Sequence, residues 1–421
     1  MGRARTLQDI RIMRFEDLLW RQERGELSQP EAASLLGVSE RTFRRWRDRH
    51  EEEGSGGLRD RRIGKPSGRR AEAAEIERML KLYRADYADF TVKHFHEHLA
   101  QRTDYKLSYT TTKIYLQRSG LVQPASRRGA HRRKRPRRPL PGMLLHQDGS
   151  PHAWLPGDKR SYDLIATMDD ATSELYSLFL VEQEGTASSF RGLAETIEKK
   201  GLFCALYSDR GSHYFHTRKA GGKVSKEHLT EVGRALHELG IDHIPAYSPQ
   251  ARGRSERLFR TLQDRLPKEL RLAGVRTMAA ANRWLREVYL AQHNARFAVA
   301  AEQPGSAFVA DPRGLWRDVL CLQEDRIVGN DNTVIWRRLR LQLPPSPLRP
   351  HFVRATVRVR EYWDGRLSVS LGPHRLAEFT ADGTPLEASH NTGRVTPLDA
   401  THWQGLAPDT KANRADTSLA T

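Results

Sequence analysis

The sequence predicts a multidomain protein: N-terminal all-α helix-turn-helix domains, a central α/β domain on a mixed five-stranded sheet, and a small C-terminal β-barrel. Three observations carry this. Apolar residues recur at helical spacing up to about Val122. From Met143 to about 310, short apolar runs alternate with helical patterns, and beyond 322 strict two-residue alternation takes over. At 421 residues the chain has room for several such domains.

Residues 1–70 are expected to form a helix-turn-helix domain and its linker. "LQDIRIMRFEDLLWRQERGE" places Ile12, Phe15 and Leu19 on one helical face. In "SQPEAASLLGVSERTFRRWRDRH", Ser28 and Glu31 make a capping box, and Pro30 sits in the first turn, where a missing N–H costs little. Gly37 ends that short helix and Ser39 can cap the next. A short helix, a glycine turn and a second helix form the DNA-binding pattern. The second helix offers Arg41, Arg44, Arg45, Arg47 and Arg49 to solvent and turns Phe43 and Trp46 inward. "EEEGSGGLRDRRIGKPSGRR" (51–70) is a glycine-rich, charged linker.

Residues 71–125 read as a second helical, helix-turn-helix-like domain. Ile76, Met79, Leu80 and Tyr83 form one stripe, and "SYTTTKIYLQRSGLV" forms a helix ending at Gly120. Tyr109, Thr110, Thr111 and Lys113 would face DNA, unless the domain serves only for packing. The linker 126–141 begins "SRRGAHRRKRPRR", with eight Lys or Arg in thirteen residues. Such a block repels itself into an extended chain able to follow a phosphate backbone, with Arg132, Arg133, Lys134 and Arg135 as contacts.

The central domain is expected over 142–310. Strands fit 143–147, 162–169, 175–181, 203–208 and 242–247; helices fit 186–200, 226–239 and 253–266. Asp148 should close the first strand at a Gly149–Ser150 turn, and Asp209 should close the fourth. On the last helix Leu258, Phe259, Leu262 and Leu266 make the buried stripe. Glu256 falls at its margin, about 100° from the centre, with Arg257 and Arg260 beside it on the solvent side. In 311–380, Val353, Ala355, Val357 and Val359 alternate with Arg354, Arg358 and Arg360, and Asp364–Gly365 starts a hairpin into "RLSVSL". The polar tail 381–421 reads as disordered.

Charge narrows the function. Seventy Lys and Arg against 52 Asp and Glu give +18, which favours a polyanionic partner. No apolar stretch approaches the ~18 residues of a membrane span, and the charged N-terminus is no signal peptide. "MGRART" fits a myristoylation pattern only loosely. Cys204 and Cys321 form neither a disulfide framework nor a zinc cluster, which fits a reducing cytoplasm. Against that basic background, Asp148, Asp209 and Glu256 would repel one another unless a cation joined them. An all-oxygen set suits Mg²⁺ or Mn²⁺, and a pair of ions suits in-line displacement at a phosphodiester.

"HQDGS", "YSDRGSHY" and "YSPQARGRSERLFRTLQDRL" together resemble the DDE motif of insertion-sequence transposases (an ISNCY-like group) and retroviral integrases, over about residues 30–310. The D-x-G of Asp209 and Gly211 and the G-R-x-E-R around Glu256 are its more specific parts. The resemblance implies an RNase H-like core and makes Asp148, Asp209 and Glu256 the ligands of two Mg²⁺ or Mn²⁺ ions. It implies double-stranded DNA as partner, namely terminal inverted repeats and target DNA. A homo-oligomer on that DNA and a nucleoid-associated, cytoplasmic location without a membrane also follow from it. Two departures stand out: the interval from Asp209 to Glu256 is long, filled by the basic insert "HTRKAGGKVSKEH", and Gln263 replaces the Lys or Arg usual seven residues after the glutamate. Arg257, Arg260 or Lys268 would then contact DNA. Asp169 and Asp170 read as structural, His146 and His152 as shaping the site, and Trp154 as either a base stack or packing; a DNA contact by His213 and Tyr214 is open. Two other readings compete. A DNA-binding regulator with a decayed core should have lost an acid, and a nuclease for RNA–DNA hybrids leaves the helix-turn-helix array unexplained.

Overall fold

The computed structural model describes residues 2–60, 71–101, 104–124, 135–217, 222–225, 227–247 and 249–386. They fall into two units, Met1–Arg127 and Arg128–Thr421. The basic residues Arg132, Arg133 and Lys134, and the tail beyond 386, lie outside the described residues.

In the first unit, α1 (Gly2–Glu23), α2 (Gln29–Leu36) and α3 (Glu40–Glu53) surround Phe15, Leu18, Leu19, Ala32, Ala33 and Phe43. Fully burying Phe43 contributes about 1.5–3 kcal/mol. Local chemistry sets the turns. The Ser28 backbone N–H donates to Glu31 at 2.8 Å. Gly37 ends α2 at φ +74°, and Ser39 accepts from the Thr42 backbone N–H as N-cap of α3. Arg41, Arg44, Arg45 and Arg49 are exposed. Arg47 is half-buried and tied to Asp48 and Glu51, so the fully solvent-facing set is smaller than the helical wheel suggests. A second helical group follows: α4 (Ala73–Asp86), α5 (Val92–Ala100) and α6 (Tyr109–Arg118), built around Met79, Tyr83, Phe95 and Leu116. Tyr109, Thr110 and Lys113 are exposed on α6; Thr111 is half-buried.

The second unit is organised on a five-stranded sheet of order β3-β2-β1-β4-β5. Its strands are β1 (Leu145–His152), β2 (Tyr162–Asp169), β3 (Leu175–Val181), β4 (Ala205–Ser208) and β5 (Asp242–Pro245). The first three are antiparallel, while β1–β4 and β4–β5 run parallel. On one face lie α7 (Thr186–Lys200) and α8 (Glu231–Glu238), packed through Leu145, Phe190, Leu193, Ile197, Leu206, Val232 and Leu236. On the other, α9 (Pro249–Leu272) buries Leu258, Phe259, Leu262 and Leu266 against Leu164, Ala166 and Met168. Next come α10 (Met278–Trp284), a π-turn over Leu285–Tyr289, and α11 (Leu290–Phe297). Asn282 and Asn294 each bond both backbone groups of a β3 residue, Leu180 and Leu175, which covers that strand's free edge.

The C-terminal region is not a closed barrel. After α12 (Trp316–Val319), β6 (Cys321–Ile327) joins a five-stranded open sheet of order β12-β11-β10-β9-β6. The other members are β9 (Thr356–Tyr362), β10 (Leu367–Leu371), β11 (His374–Phe379) and β12 (Pro385–Leu386). Here β7 (Thr333–Trp336) and β8 (Leu339–Gln342) pair only with each other. Between β8 and β9, Pro344, Pro345, Pro347 and Pro350 remove the donors a continuous ladder needs. The expected Asp364–Gly365 hairpin is present, with Gly365 at φ +87°. Ordered structure also runs past the expected start of the tail, through β12.

Candidate active site at the β1–β4–α9 junction

Side-chain alternation assigns the acids to a face. Across β1 and β2, His146 pairs with Met168, Asp148 with Ala166 and Ser150 with Leu164. Directly opposed residues share a face, so His146, Asp148 and Ser150 look toward α9 with Leu164, Ala166 and Met168. In the parallel pair, His146 lies opposite Tyr207. Asp148 is two residues beyond His146 on β1, and Asp209 is two residues beyond Tyr207, just past the end of β4.

Asp148 does not end its strand. It is the fourth residue of β1, which runs on to His152. The Gly149–Ser150 pair, expected as a turn, is strand. A Cβ at Gly149 would sit 2.3 Å from a Glu184 carboxylate oxygen, so a side chain there would make the Glu184 carboxylate move; the glycine marks a close approach. Asp209 directly follows β4, and its carboxylate accepts from the Gly211 N–H at 2.8 Å. A Cβ on Gly211 would crowd that oxygen and the His213 ring, each at 3.0 Å, which is the physical reason for the D-x-G spacing.

Two contacts position α9. At the far end of the acid-bearing stretch, Gln263 Nε2 donates to Ser150 Oγ at 3.0 Å. Gln263 is seven residues, close to two full turns, beyond Glu256, so the helix margin carrying Glu256 is the one that follows β1. At the near end, Arg254 reaches the buried Asp170, which also takes His146. From Arg254 to Gln263 is roughly 13.5 Å of helix, and from His146 to Ser150 is roughly 13 Å of strand. The two spans are of similar length, and Glu256 lies between the two tie points on α9.

Asp148 is 7% exposed, Asp209 is half-buried and Glu256 is exposed. Their donor atoms do not all lie within 4.8 Å of one another. The crowding registers on Tyr214, whose phenol is pushed well up by burial and then by the charges of Glu184, Asp148 and Asp209. The donor set is all oxygen. Arg254 bonds Asp170, while Arg257 donates to the Gly253 carbonyl at 2.8 Å. That chemistry fits a hard divalent ion.

Other expected residues take structural places. Trp154 is fully buried and donates to the Ser150 carbonyl, so it packs and does not present a face for base stacking. His146 is buried against Asp170, and His152 lies edge-on to Trp154. Asp169 accepts from the Gly142 and Thr172 N–H groups, closing the turn after β2. Arg135 is held by Asp170, Lys268 is paired to Asp264, and Arg260 is exposed. The sequence reading missed Gln147 and Tyr214 as a pair. The Tyr214 hydroxyl donates to Gln147 Oε1 at 3.0 Å, tying the residue before Asp148 to the turn after Asp209. No short motif announces that contact, because the two residues are 67 positions apart.

A model of a helix-turn-helix domain matches residues 18–67. The putative transposase y4bF of Sinorhizobium fredii is 34% identical over 356 residues, 84% of this chain and 77% of that protein. The transposase for insertion sequence IS1202 of Streptococcus pneumoniae is 27% identical over 387 residues, 82% of this chain and 81% of its own length. Among solved structures, the HTLV-2 integrase catalytic core domain in complex with magnesium matches 35% of this chain and 86% of its own, at 17% identity and a TM-score of 0.26. The simian T-cell lymphotropic virus intasome in complex with PP2A regulatory subunit B56 gamma matches 69% and 91%, at 14% identity and 0.31.

Proposed function

The chain belongs to the transposase family, and from that premise we propose that it recognises the terminal inverted repeats of its own insertion sequence, cleaves the DNA 3′ ends, and joins them to target DNA. The observation that supports the chemistry is the placement of the acids in the fold: Asp148 lies on β1, Asp209 directly follows the adjacent parallel strand β4, and Glu256 lies on α9, which packs on the face of the sheet that carries Asp148. These three side chains would hold Mg²⁺ or Mn²⁺, with two ions expected. When bound, such ions lower the pKa of an attacking hydroxyl and stabilise the leaving oxygen of an in-line displacement.

The protein's own groups supply the geometry. Gly211 fixes the Asp209 carboxylate through its N–H, and Gln263 holds the Glu256 margin of α9 to β1 through Ser150. The Tyr214–Gln147 bond keeps the two aspartate-bearing segments at a constant spacing. Water is the nucleophile in cleavage, and the freed DNA 3′-OH is the nucleophile in joining, so no covalent protein intermediate forms. Exposed Arg41, Arg44 and Arg45 on α3 are suited to base edges and phosphates, with the exposed Arg257 and Arg260 on α9 as further phosphate contacts. Two DNA ends must be paired for joining, so a homo-oligomer on DNA is part of the proposal. The domain limits 1–70, 71–125, 126–141, 142–310 and 311–380 are proposed as its functional modules.

The test is joining of a labelled terminal-repeat oligonucleotide to plasmid DNA by the full chain. Joined product with Mg²⁺ and none with EDTA is the expected result. Repeat binding without joining under any divalent ion would leave a DNA-binding regulator, and cleavage confined to RNA–DNA hybrids would leave a nuclease.

A further inference from the structure

We propose that Asp170 is a positioning residue for Glu256, acting through Arg254 and sharing that role with the end of the basic linker. The inference rests on the functional reading above, since it concerns the same carboxylate site. Asp170 follows β2 and is 1% exposed. Burial alone would raise its pKa, but the His146 ring, the Arg138 backbone N–H and the Arg254 guanidinium outweigh that and hold it well below the usual carboxylate range. A carboxylate this enclosed is tolerated only when fully partnered. Its partners come from three segments: His146 Nε2 on β1 at 2.8 Å, Arg254 Nε on α9 at 3.1 Å, and the Arg138 N–H at 2.8 Å, with the Arg135 guanidinium closing the set.

Arg254 is the hub on the other side. Besides the carboxylate, it donates to the carbonyls of Asp170 at 3.2 Å, Arg135 at 3.0 Å and Pro136 at 2.9 Å. Arg137 adds bonds to the Asp170 and Ala171 carbonyls. The first described turns of α9 and the segment 135–138 are thus fastened to one buried anion. Glu256 follows Arg254 by two residues, a rise of about 3 Å, so the position of its backbone is set by this joint and by the Gln263–Ser150 contact. His146 lies two residues before Asp148 on the same strand face, so the anion also braces the other ligand-bearing strand. Support of this kind for ligand side chains is worth about 10- to 100-fold in metal affinity.

The experiment uses the full-length protein with Asp170→Asn, Arg254→Lys, Arg254→Ala and the double variant Asp170→Asn/Arg254→Ala. Two quantities are read: Mn²⁺ binding by electron paramagnetic resonance, and the Mg²⁺ concentration giving half-maximal joining. Expected is a rise of about 10- to 100-fold in the Mn²⁺ dissociation constant and in the Mg²⁺ midpoint for Asp170→Asn and Arg254→Ala, with terminal-repeat binding unchanged and most of the rate regained at saturating Mn²⁺. Arg254→Lys keeps the charge but loses the three carbonyl bonds and should fall between. The double variant should be no worse than the singles, because both remove one linkage. Unchanged midpoints in folded variants, or additive losses in the double variant, would overturn the proposal. If Asp170→Asn does not fold, the two Arg254 variants decide alone. Failure of the wild type to join DNA would instead strike the functional reading.

Discussion

Arginine serves two opposite purposes in the two units. On α3, Arg41, Arg44, Arg45 and Arg49 extend into solvent from a helix whose other face is closed by Phe43. Around α9 and the segment before β1, Arg135, Arg137 and Arg254 are spent on carbonyls and on one buried carboxylate. Composition counts all of these toward the same +18, yet only the first set is available to a polyanion. The difference teaches that net charge identifies the class of partner, while hydrogen-bond commitment decides which cations can touch it. The functional proposal divides the molecule in the same way, assigning sequence recognition to exposed arginines and chemistry to carboxylates.

Substitutions can break or sharpen that division. The largest effect should follow loss of any one acid. Asp148→Ala, Asp209→Ala and Glu256→Ala should each lower joining by roughly 10⁴-fold or more, as members of a unit do, with repeat binding by gel shift unchanged. Next come the exposed arginines. Arg44→Ala and Arg45→Ala should each weaken repeat binding by about 1–3 kcal/mol and relax specificity, without altering the Mg²⁺ midpoint for joining. Arg47→Ala should do less, since Arg47 is already shared with Asp48 and Glu51.

Acid should separate the units more gently. Burial, then the His213 charge, lowers His243 to about 3, and burial, then Arg265 and Arg296, lowers His293 to about 4. Both folded values lie below the ordinary 6.5, so the unfolded chain takes up protons first. The stability these residues confer is present above about pH 6.5 and drains as pH falls toward the folded values, at no more than ~1.4 kcal/mol per pH unit for each. Amide protection factors, corrected for the intrinsic exchange rate at each pH, should therefore fall in β4, β5 and α11 between pH 6.5 and 4.5 before they do in α2 and α3, and His243→Gln should blunt the effect. The smallest effect should come from the exposed Arg358–Asp325 pair on the C-terminal sheet. Arg358→Ala should cost no more than about 1 kcal/mol in thermal unfolding.

Much of this was legible in the sequence, for identifiable reasons. The helix-turn-helix elements follow from local chemistry: a capping residue, a left-handed glycine and a buried aromatic lie within a few positions of one another. The strands 162–169 and 175–181 and the helix 186–200 agree with β2, β3 and α7 to the residue, because near-continuous burial leaves apolar-rich runs in the strands and one-sided burial leaves Phe190, Leu193, Ala194 and Ile197 at helical spacing in α7. Where the sequence misled, a long-range contact had replaced a local rule. Gly149 looked like a turn because Glu184, which needs its space, is 35 positions away. The C-terminal sheet looked closed because alternation records which side chains are buried and not whether the two edges meet. The Asp170–Arg254 joint and the Gln147–Tyr214 bond were illegible for the same reason, since each joins residues that only the sheet order brings together.

The most direct test of the central claim, that Asp148, Asp209 and Glu256 hold catalytic metal ions together, is a ligand-softness exchange. Each is replaced singly by cysteine in the full-length protein, and terminal-repeat joining is measured with Mg²⁺ and with Mn²⁺. A thiolate is a poor ligand for Mg²⁺ and a better one for Mn²⁺. The expected result is joining lost in Mg²⁺ for all three variants and recovered in part in Mn²⁺, with repeat binding intact throughout. Joining in Mg²⁺ at the wild-type rate by any of the three would contradict the assignment of that residue and, with it, the site.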